Sequence, residues 1–388
     1  MKIAYLMRFW PVYGGGETVT RILVNELATR ENDVTVIYLW DRNNETNPCI
    51  NENIKNIKLK GITNLNDGDI DNKERKEIFN QLSSIFKNEK FEMIVNQWLP
   101  SREVYNAAQI AKTKVIKCHH GVVKFVPIIS TLRQKIFYGI LGEKGGWLRV
   151  YWQRKEDYEN CDKWVFLSNS FVDDAKKLLG KVDKNKLCAI GNPLPYEIST
   201  DKVDFSKKTN TILYVGRMIE LKRVHFLLDV WSDIQDSAIA QDWTFILVGD
   251  GVTLKDEKEY AKKLNCKRLE FTGFQDPRQY YEKADILALA SNSEGFGMVL
   301  VEAQQYGCVP IVLDSFSAVH DIIESGRNGI LVEDNNRGEF KEELLGLMQN
   351  TDKRRLIAKN AIQDCKKFSV KNIVDQWEKL FREVMRNQ

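Results

Sequence analysis

Two glutamates stand eight positions apart, Glu294 in a glycine-rich turn and Glu302 inside an apolar run. The run from Met298 to Tyr306 is typical of a helix, and Gly307 follows it as glycine often follows a helix end. The preceding segment, 284–290, is typical of a buried strand. A strand, a glycine turn and a helix start together bind phosphate, because free N–H groups and the helix dipole point at the ligand. A carboxylate beside such a site suits hydroxyl groups, so we expect a ligand that carries both, such as a nucleotide sugar.

Cations, glycines and an aromatic residue follow other predicted strands of the same half. Arg217 and Lys222 stand five residues apart and could clamp two phosphates without a metal ion. A surface charge pair is the alternative. Gly216 precedes the arginine, and Gly249 closes the next strand, where glycine permits close approach to a nucleotide. Phe274 follows the third strand, where it either walls a base pocket or packs in the core.

The first half of the chain carries a glycine loop and a pair of histidines. Gly15 and Gly16 end a run of three glycines between the first strand and the first helix, and Glu17 follows them. The loop lacks a GxGxxG spacing, so a dinucleotide fold is the weaker interpretation and a structural turn is the alternative. His119 and His120 end a predicted strand, where an imidazole could donate to a substrate hydroxyl or phosphate, or satisfy loop backbone instead. No third ligand stands at a spacing that suits a metal ion.

Bulk properties indicate a soluble globular enzyme. The 388 residues are enough for two domains, and 43% hydrophobic and 29% charged residues are ordinary values. A net charge of +3 gives no reason to expect nucleic acid as a partner. Seven scattered cysteines without a CxxC pair predict reduced thiols and a cytoplasmic protein. No run is long and apolar enough to span a bilayer, so any membrane contact is expected to be peripheral.

Short apolar strands alternate with amphipathic helices along the whole chain, which predicts parallel sheets covered on both faces. The pattern breaks at Gly191–Pro195 and restarts after Lys208, which predicts a linker and hinge between two doubly wound domains. We therefore assign residues 1–192 to the first domain and 193–369 to the second. Residues 370–388 form a long terminal helix.

The segment 124–155 differs from the rest of the chain. It holds seven Lys or Arg residues against one acid, Glu143, with apolar and aromatic residues interleaved. Such a stretch is typical of segments that bind an anionic membrane surface, and we expect it to bind the inner face of the cell membrane. A helical hairpin packed on its own domain is the alternative.

The motifs occur in a fixed order along the second half: the Gly-Arg-x4-Lys element, Gly249-Asp250-Gly251, Thr272-Gly273-Phe274, the stretch 291–302 and Gly329–Val332. Each is expected at a turn after a strand. In these residues the chain resembles the family-4 retaining glycosyltransferases, whose hallmark is two glutamates separated by seven residues. The resemblance implies a GT-B fold, in which two Rossmann-like domains face each other across a cleft and the last helix crosses back to the first domain.

The resemblance also implies a role for each matching residue on the donor side. Glu302 would bind the ribose of the donor nucleotide, and Glu294 the hydroxyls of the donor sugar. Arg217 and Lys222 would neutralise the diphosphate leaving group, so that neither a metal ion nor another cofactor is expected. The remaining donor-binding positions are Gly15, Gly16, Gly216, Gly249, Phe274, Gly295, Phe296, Gly297 and Met298. Gly15 and Gly16 would face the pyrophosphate from the opposite domain.

On the acceptor side the resemblance points to Glu17, His119 and His120. His120 is expected to approach the donor sugar, with His119 as the alternative, and joins Glu294, Arg217 and Lys222 as a catalytic residue. The implied activity is transfer of a hexose, with retention, from a nucleotide sugar to a lipid-linked or oligosaccharide acceptor in polysaccharide or glycoconjugate biosynthesis. UDP-sugars are favoured over GDP-sugars. The alternatives are a GT-B nucleotide-sugar epimerase and a non-catalytic nucleotide-sugar-binding protein.

Overall fold

Two separate parallel sheets form the framework of the protein in the computed structural model. It describes residues 1–11, 15–41, 49–63, 70–124, 132–196 and 203–386, without the side chains of 132–144. Internal contacts divide the chain into a first unit of Met1–Pro195 with Val370–Gln388 and a second unit of Tyr196–Ser369. The boundary expected after residue 192 lies close to this division.

The first unit contains a sheet whose strands run in the order β3-β2-β1-β4-β5-β6-β7, with every pairing parallel. Its strands are β1 (Lys2–Phe9), β2 (Asp33–Trp40), β3 (Lys55–Lys58), β4 (Met93–Asn96), β5 (Lys114–His119), β6 (Lys163–Phe166) and β7 (Leu187–Ala189). Its helices are α1 (Gly15–Thr29), α2 (Asn72–Glu89), α3 (Ser101–Ala111), α4 (Leu132–Glu159) and α5 (Asn169–Leu179). The strand order reverses between β1 and β4, and ligands bind at such a point beyond the carboxyl ends of the strands.

The second unit repeats this plan with a six-stranded parallel sheet in the order β10-β9-β8-β11-β12-β13. Its strands are β8 (Thr211–Val215), β9 (Thr244–Val248), β10 (Leu269–Gly273), β11 (Ile286–Leu289), β12 (Val309–Asp314) and β13 (Ile330–Glu333). Its helices are α6 (Val224–Ile234), α7 (Leu254–Lys263), α8 (Arg278–Lys283), α9 (Met298–Gln305), α10 (Val319–Ile322), α11 (Arg337–Gln349) and α12 (Thr351–Asp364). Here the order reverses between β8 and β11, so the turns after these two strands meet at one edge.

The terminal helix α13 (Val370–Arg386) belongs to the first unit, where it packs on α1. Its apolar face is buried, and Arg30 at the end of α1 forms ion pairs with Asp375 at 2.6 Å and Glu378 at 3.2 Å. The predicted α/β class, with two doubly wound units and a returning terminal helix, is confirmed.

Three local expectations are corrected. The edge strands β3 and β7 carry short or polar sequences that gave no strand signal. The segment Gly329–Val332 is expected at a turn after a strand, but residues 330–332 belong to β13 itself. The hairpin shape in the alternative for 124–155 is wrong, because α4 is one continuous helix of 28 residues, but α4 does pack on α3 and α5 of its own unit as that alternative expected. Residues 125–131 of that segment, and its side chains from 132 to 144, lie outside the described part.

Candidate functional site

Hydrogen bonds within the second unit hold the backbone of the turn after β8. The Tyr214 hydroxyl donates a hydrogen bond to the Arg217 carbonyl oxygen at 3.0 Å. The Met218 amide donates to the Asp250 carbonyl oxygen at 2.8 Å. Because these bonds hold the backbone, Arg217 is positioned on a fixed turn while it remains exposed to solvent.

Glycine is required at two positions that pack against this turn. Gly249 has a φ of +146°, and a Cβ atom there would lie 1.8 Å from the Gly216 carbonyl oxygen. A Cβ atom on Gly251 would lie 2.3 Å from the Met218 carbonyl oxygen. In the structure, therefore, the absence of a side chain on these glycines makes room for the backbone of the 216–218 turn. Contact of Gly249 with a nucleotide stays a prediction.

An ion pair joins the turns after β8 and β11. Lys222 Nζ donates to Glu294 Oε1, and both side chains are largely buried. The Asn292 amide donates to the Leu221 carbonyl oxygen at 2.8 Å, which ties the two turns together beside the pair. The predicted cation and the first predicted carboxylate thus meet in one place, although 72 positions separate them in sequence.

The N-terminus of α9 lies just after Glu294. Gly297 precedes the helix with a φ of +90° and contributes no capping side chain, so the first N–H groups of α9 have no side-chain cap. Phe296 is buried and packs edge-on against Phe368, with ring centroids 5.3 Å apart. Its side chain therefore belongs to the core, and only its backbone fits the predicted role. Gly295 and Met298, which flank Phe296 and Gly297 in sequence, are half-buried.

Glu302 lies inside α9 and is 9% exposed. The Tyr281 hydroxyl donates a hydrogen bond to Glu302 Oε2 at 2.8 Å. Burial raises the pKa of the Glu302 carboxyl to about 7, against the opposing effect of the tyrosine hydrogen bond. The two predicted glutamates therefore occupy different environments, one in an ion pair and one against a neutral phenol. Tyr281 was missed, because nothing in its spacing on the short helix α8 connects it with Glu302.

Phe274 follows β10 and is 84% exposed, which excludes the core alternative for this residue. An aromatic ring left in solvent beside a strand end is available for stacking on a flat ligand. Its predicted place in the wall of a base pocket stays a prediction.

In the first unit, Gly15 and Gly16 form the first residues of α1, and the preceding glycine lies outside the described residues. A Cβ atom on Gly16 would lie 2.5 Å from the Trp98 ring. Glycine is therefore needed here to admit an indole. Glu17 lies in the first turn of α1 and is half-buried.

The same indole stacks on His120, with ring centroids 4.6 Å apart. His120 Nε2 contacts Gln97 Oε1, an oxygen that can only accept, so Nε2 carries the proton. Burial, and then the charge of Lys117, lower the pKa of His120 to about 3. The imidazole is therefore neutral at physiological pH, and its Nδ1 has a lone pair and no hydrogen-bond partner among the described residues.

His119 is more deeply buried and lies between aromatic rings, with Trp164 and Phe166 at centroid distances of 6.0 and 5.6 Å. Burial and neighbouring cations hold its pKa well below the usual range. Both histidines line one cavity of about 500 Å³ at the carboxyl ends of β1, β4 and β5. Gln97 and Trp98, which also line it, were missed because they follow β4 without a recognisable motif.

The described part of the 124–155 segment contains both exposed aromatic rings and a buried arginine. Trp147 and Trp152 are 57% and 55% exposed, and Tyr151 stacks on Trp147 at 5.8 Å. Arg154 is buried, and together with Arg149 it lines the histidine cavity. Within the described ranges no helix is both long and apolar enough to cross a membrane. The same ranges contain no cluster of three His, Cys, Asp or Glu side chains suited to a metal ion.

Two family models match consecutive parts of the chain. The model of glycosyltransferase family 4 matches residues 13–197, and the model of group 1 glycosyl transferases matches residues 196–364. Each model covers one of the two doubly wound units. The chain belongs to glycosyltransferase family 4.

Curated relatives of this family-4 chain include an uncharacterized glycosyltransferase of Methanocaldococcus jannaschii. It is 31% identical over 228 residues, which are 58% of this chain and 60% of the relative. A second relative, 28% identical over 243 residues, is an α-1,4-N-acetyl-D-galactosaminyltransferase of Campylobacter jejuni that acts on an undecaprenol-diphosphate-linked saccharide. That match covers 59% of this chain and 66% of the relative, so the chain spans about six tenths of the length of these relatives.

Solved structures match the family-4 chain over nearly its whole length. The Anabaena protein HepE in complex with UDP and glucose gives a TM-score of 0.74 at 17% identity, over 99% of this chain and 100% of HepE. The lipopolysaccharide outer core galactosyltransferase WaaB gives a TM-score of 0.75 at 19% identity, with the same coverage of both chains. Together with the two doubly wound units, this likeness shows the GT-B fold.

Proposed function

We propose that the protein is a retaining, metal-independent hexosyltransferase. It moves a hexose from a UDP-sugar to a lipid-linked or oligosaccharide acceptor in polysaccharide or glycoconjugate biosynthesis. The observation that carries the proposal is the Lys222–Glu294 ion pair, which lies beside the exposed Arg217 at the edge where the turns after β8 and β11 meet. Two cations and a carboxylate at this edge fit a diphosphate and a sugar hydroxyl.

In the proposed reaction, the bond between the anomeric carbon and the diphosphate oxygen breaks. The acceptor oxygen bonds to the same face of that carbon, and the acceptor proton passes to the departing diphosphate. Arg217 and Lys222 stabilise the negative charge on the diphosphate in place of a metal ion. Glu294 accepts hydrogen bonds from the sugar, and Glu302 accepts them from the ribose.

The choice of donor and acceptor draws on the similar proteins. UDP is named for HepE, and a saccharide linked to undecaprenol diphosphate is named for the C. jejuni relative. We propose the same classes of ligand for this chain, with the donor in the second unit and the acceptor in the first. A cytoplasmic location fits the seven cysteines, all of which are free thiols.

A thermal-shift panel with UDP, GDP and their hexose derivatives tests the donor. A ligand that binds only the folded state raises the melting temperature, so UDP compounds should raise it more than GDP compounds do. Release of UDP from a matching sugar in the presence of a chelator then tests for catalysis without a metal. A strict requirement for a divalent cation would contradict the role given to Arg217 and Lys222.

The variant Lys222→Met should lower kcat by roughly 10²-fold or more, because a preorganised charge on the leaving group is lost. Lys222→Arg keeps that charge and is the matched control. NMR of the product should show the anomeric configuration of the donor. An epimerised sugar formed from donor alone would favour the epimerase, and UDP binding without turnover on any saccharide acceptor would favour a binding protein.

We also propose that α4 lies against an anionic membrane surface through its exposed aromatic residues Trp147 and Trp152. Indole rings at 57% and 55% exposure are typical of the membrane interface, where an apolar body meets a polar edge. Arg154 takes no part in this contact, because it is buried. Lys155, which lies over the Trp152 ring at 5.1 Å, supplies a cation beside the indole.

Co-sedimentation with vesicles of phosphatidylglycerol and phosphatidylcholine tests this contact. Trp147→Ala combined with Trp152→Ala should lower the bound fraction several-fold, since each indole removes apolar area from water. Leu356→Ala, which removes an exposed apolar side chain of the second unit, is the control. Equal binding by the double variant and the control would contradict the proposal.

A further inference from the structure

Arg223 directly follows Lys222 and has a backbone conformation that arginine rarely adopts. Its φ of +47° and ψ of +45° lie in the left-handed region, where a side chain costs energy and glycine does not. The residue forms the junction between the turn after β8 and helix α6, which begins at Val224. Such a conformation persists where surrounding contacts hold it, so the contacts of the arginine itself need an explanation.

The Arg223 side chain connects the turn after β8 to two other turns of the second unit. Its Nε donates a hydrogen bond to the Ala290 carbonyl oxygen at 2.6 Å, directly after β11. In the turn after β13, Nη1 donates to Asn335 Oδ1 at 2.9 Å and Nη2 donates to Asp334 Oδ1 at 2.8 Å. The side chain is only 13% exposed, so its ion pair with Asp334 is partly shielded from water. All three nitrogens of the guanidinium are therefore engaged within one unit.

The ion pair between Lys222 and Glu294 has a further connection on either side of the lysine in sequence. Before it, the Leu221 carbonyl oxygen accepts a hydrogen bond from the Asn292 amide at 2.8 Å, and this bond between backbone groups does not depend on a particular side chain. After it, the connection is made by the guanidinium of Arg223. Loss of that guanidinium would free the turn on the side of the lysine that leads into α6.

We propose that Arg223 is a positioning residue that holds Lys222 in place for the diphosphate of the donor. The guanidinium fixes the residue after the lysine against the end of β11 and the turn after β13, so the ammonium keeps its position beside Glu294. A preorganised cation stabilises a departing anion because it needs no rearrangement during the reaction. The benefit to catalysis rests on the proposed function of Lys222, whereas the placement of the lysine can be measured without a substrate.

NMR of isotope-labelled lysine ammonium groups in the full chain without ligand measures this placement. An ammonium held by a largely buried carboxylate exchanges its protons slowly enough to give a signal, and Lys222→Met assigns that signal. We expect it to disappear in Arg223→Met and in Arg223→Gly, of which the second also removes the backbone strain and so carries the test if the first does not fold. The Lys208 ammonium donates to three carbonyl oxygens and is the internal reference.

The matched control is Arg327→Met, which removes an arginine paired with Asp364 at an exposed position of the same unit and should leave the Lys222 signal unchanged. Absence of the signal from the parent protein, or its persistence in both Arg223 variants, would overturn the positioning role.

A double-mutant cycle on kcat tests whether Arg223 acts through Lys222. Arg223→Gly should lower kcat by at least about tenfold. Combined with Lys222→Met it should cost no more than Lys222→Met alone, because a positioning residue has no effect once the side chain that it positions is absent. Losses that multiply would show a merely structural role and overturn the proposal. An unchanged kcat in Lys222→Met would instead contradict the proposed function, and the NMR signal would still decide whether Arg223 holds the lysine.

Discussion

We predict that replacing Glu302 by glutamine stabilises the donor-free protein above pH 7, although it removes a proposed ligand of the donor. Burial raises the pKa of this carboxyl from 4.5 to about 7, so the folded protein holds the proton more tightly than the unfolded chain does. The free energy of unfolding therefore falls as the pH rises from 4.5 through 7. Glutamine has nearly the same shape, stays neutral and can still accept the Tyr281 hydrogen bond.

The magnitude follows from the two pKa values. Each pH unit between them corresponds to about 1.4 kcal/mol, so the ionised Glu302 destabilises the native state by about 3 kcal/mol. The free energy of unfolding of Glu302→Gln, relative to that of the parent protein, should rise by this amount between about pH 4.5 and pH 8. Every other titrating group is common to the two proteins, so the difference isolates one carboxyl.

Urea titrations of both proteins at several pH values measure this difference. Glu282→Gln makes the same chemical change at an exposed position beside Tyr281 and should leave the difference flat with pH. A flat profile for Glu302→Gln, or a loss of stability above pH 7, would refute the reasoning. UDP titrations complete the test, because UDP should bind the variant at least tenfold more weakly while it stabilises the parent protein.

Two further perturbations test the surroundings of the site. Gly249→Ala should lower the free energy of unfolding by at least about 2 kcal/mol, because its Cβ atom would lie 1.8 Å from the Gly216 carbonyl oxygen. Gly273→Ala, at a φ of +72° with no atom within 4 Å, should lose only about 1 kcal/mol, so equal losses in urea titrations would contradict the steric argument. Tyr281→Phe removes the hydrogen bond that lowers the pKa of Glu302, so UDP affinity should begin to fall at a higher pH as the solution is acidified. Calorimetry across about pH 6 to 9 checks this, and an unchanged profile would show that Tyr281 does not act through Glu302.

The sheets were predictable because their central strands are continuous apolar runs. β1 and β11 are buried on both faces, and such runs between amphipathic helices indicate a parallel strand without knowledge of its neighbours. The edge strand β3 escaped prediction because its residues are mostly exposed and polar. Its residues adopt a strand conformation because they pair with β2. This pairing depends on the neighbouring strand, so the sequence of β3 alone does not indicate it.

The predicted site residues share one feature, which is that each lies in a local motif after a strand. Residues that act through tertiary contact carry no such signal. Trp98 becomes visible only when its ring is seen between Gly16 and His120, three positions that lie after different strands. Tyr281 likewise meets Glu302 only through a hydrogen bond between α8 and α9, which lie in different local motifs. Local sequence thus identifies the turns that carry the site residues. Which side chains contact those residues depends on the assembled tertiary structure.

In the proposed reaction, the ion pair between Lys222 and Glu294 prepares both side chains for the donor. A lysine ammonium has three N–H donors, and the contact with Glu294 uses one of them, so donors remain for a diphosphate oxygen. A phosphate that draws Lys222 toward itself weakens the hold on Glu294, whose oxygens then become available to sugar hydroxyls. Glu302 cannot exchange roles with Glu294, because its partner Tyr281 is a neutral hydrogen-bond donor and its carboxyl is buried inside a helix. The two glutamates that the sequence presents as a pair are therefore chemically distinct, because Glu294 pairs with a cation and Glu302 with a neutral phenol.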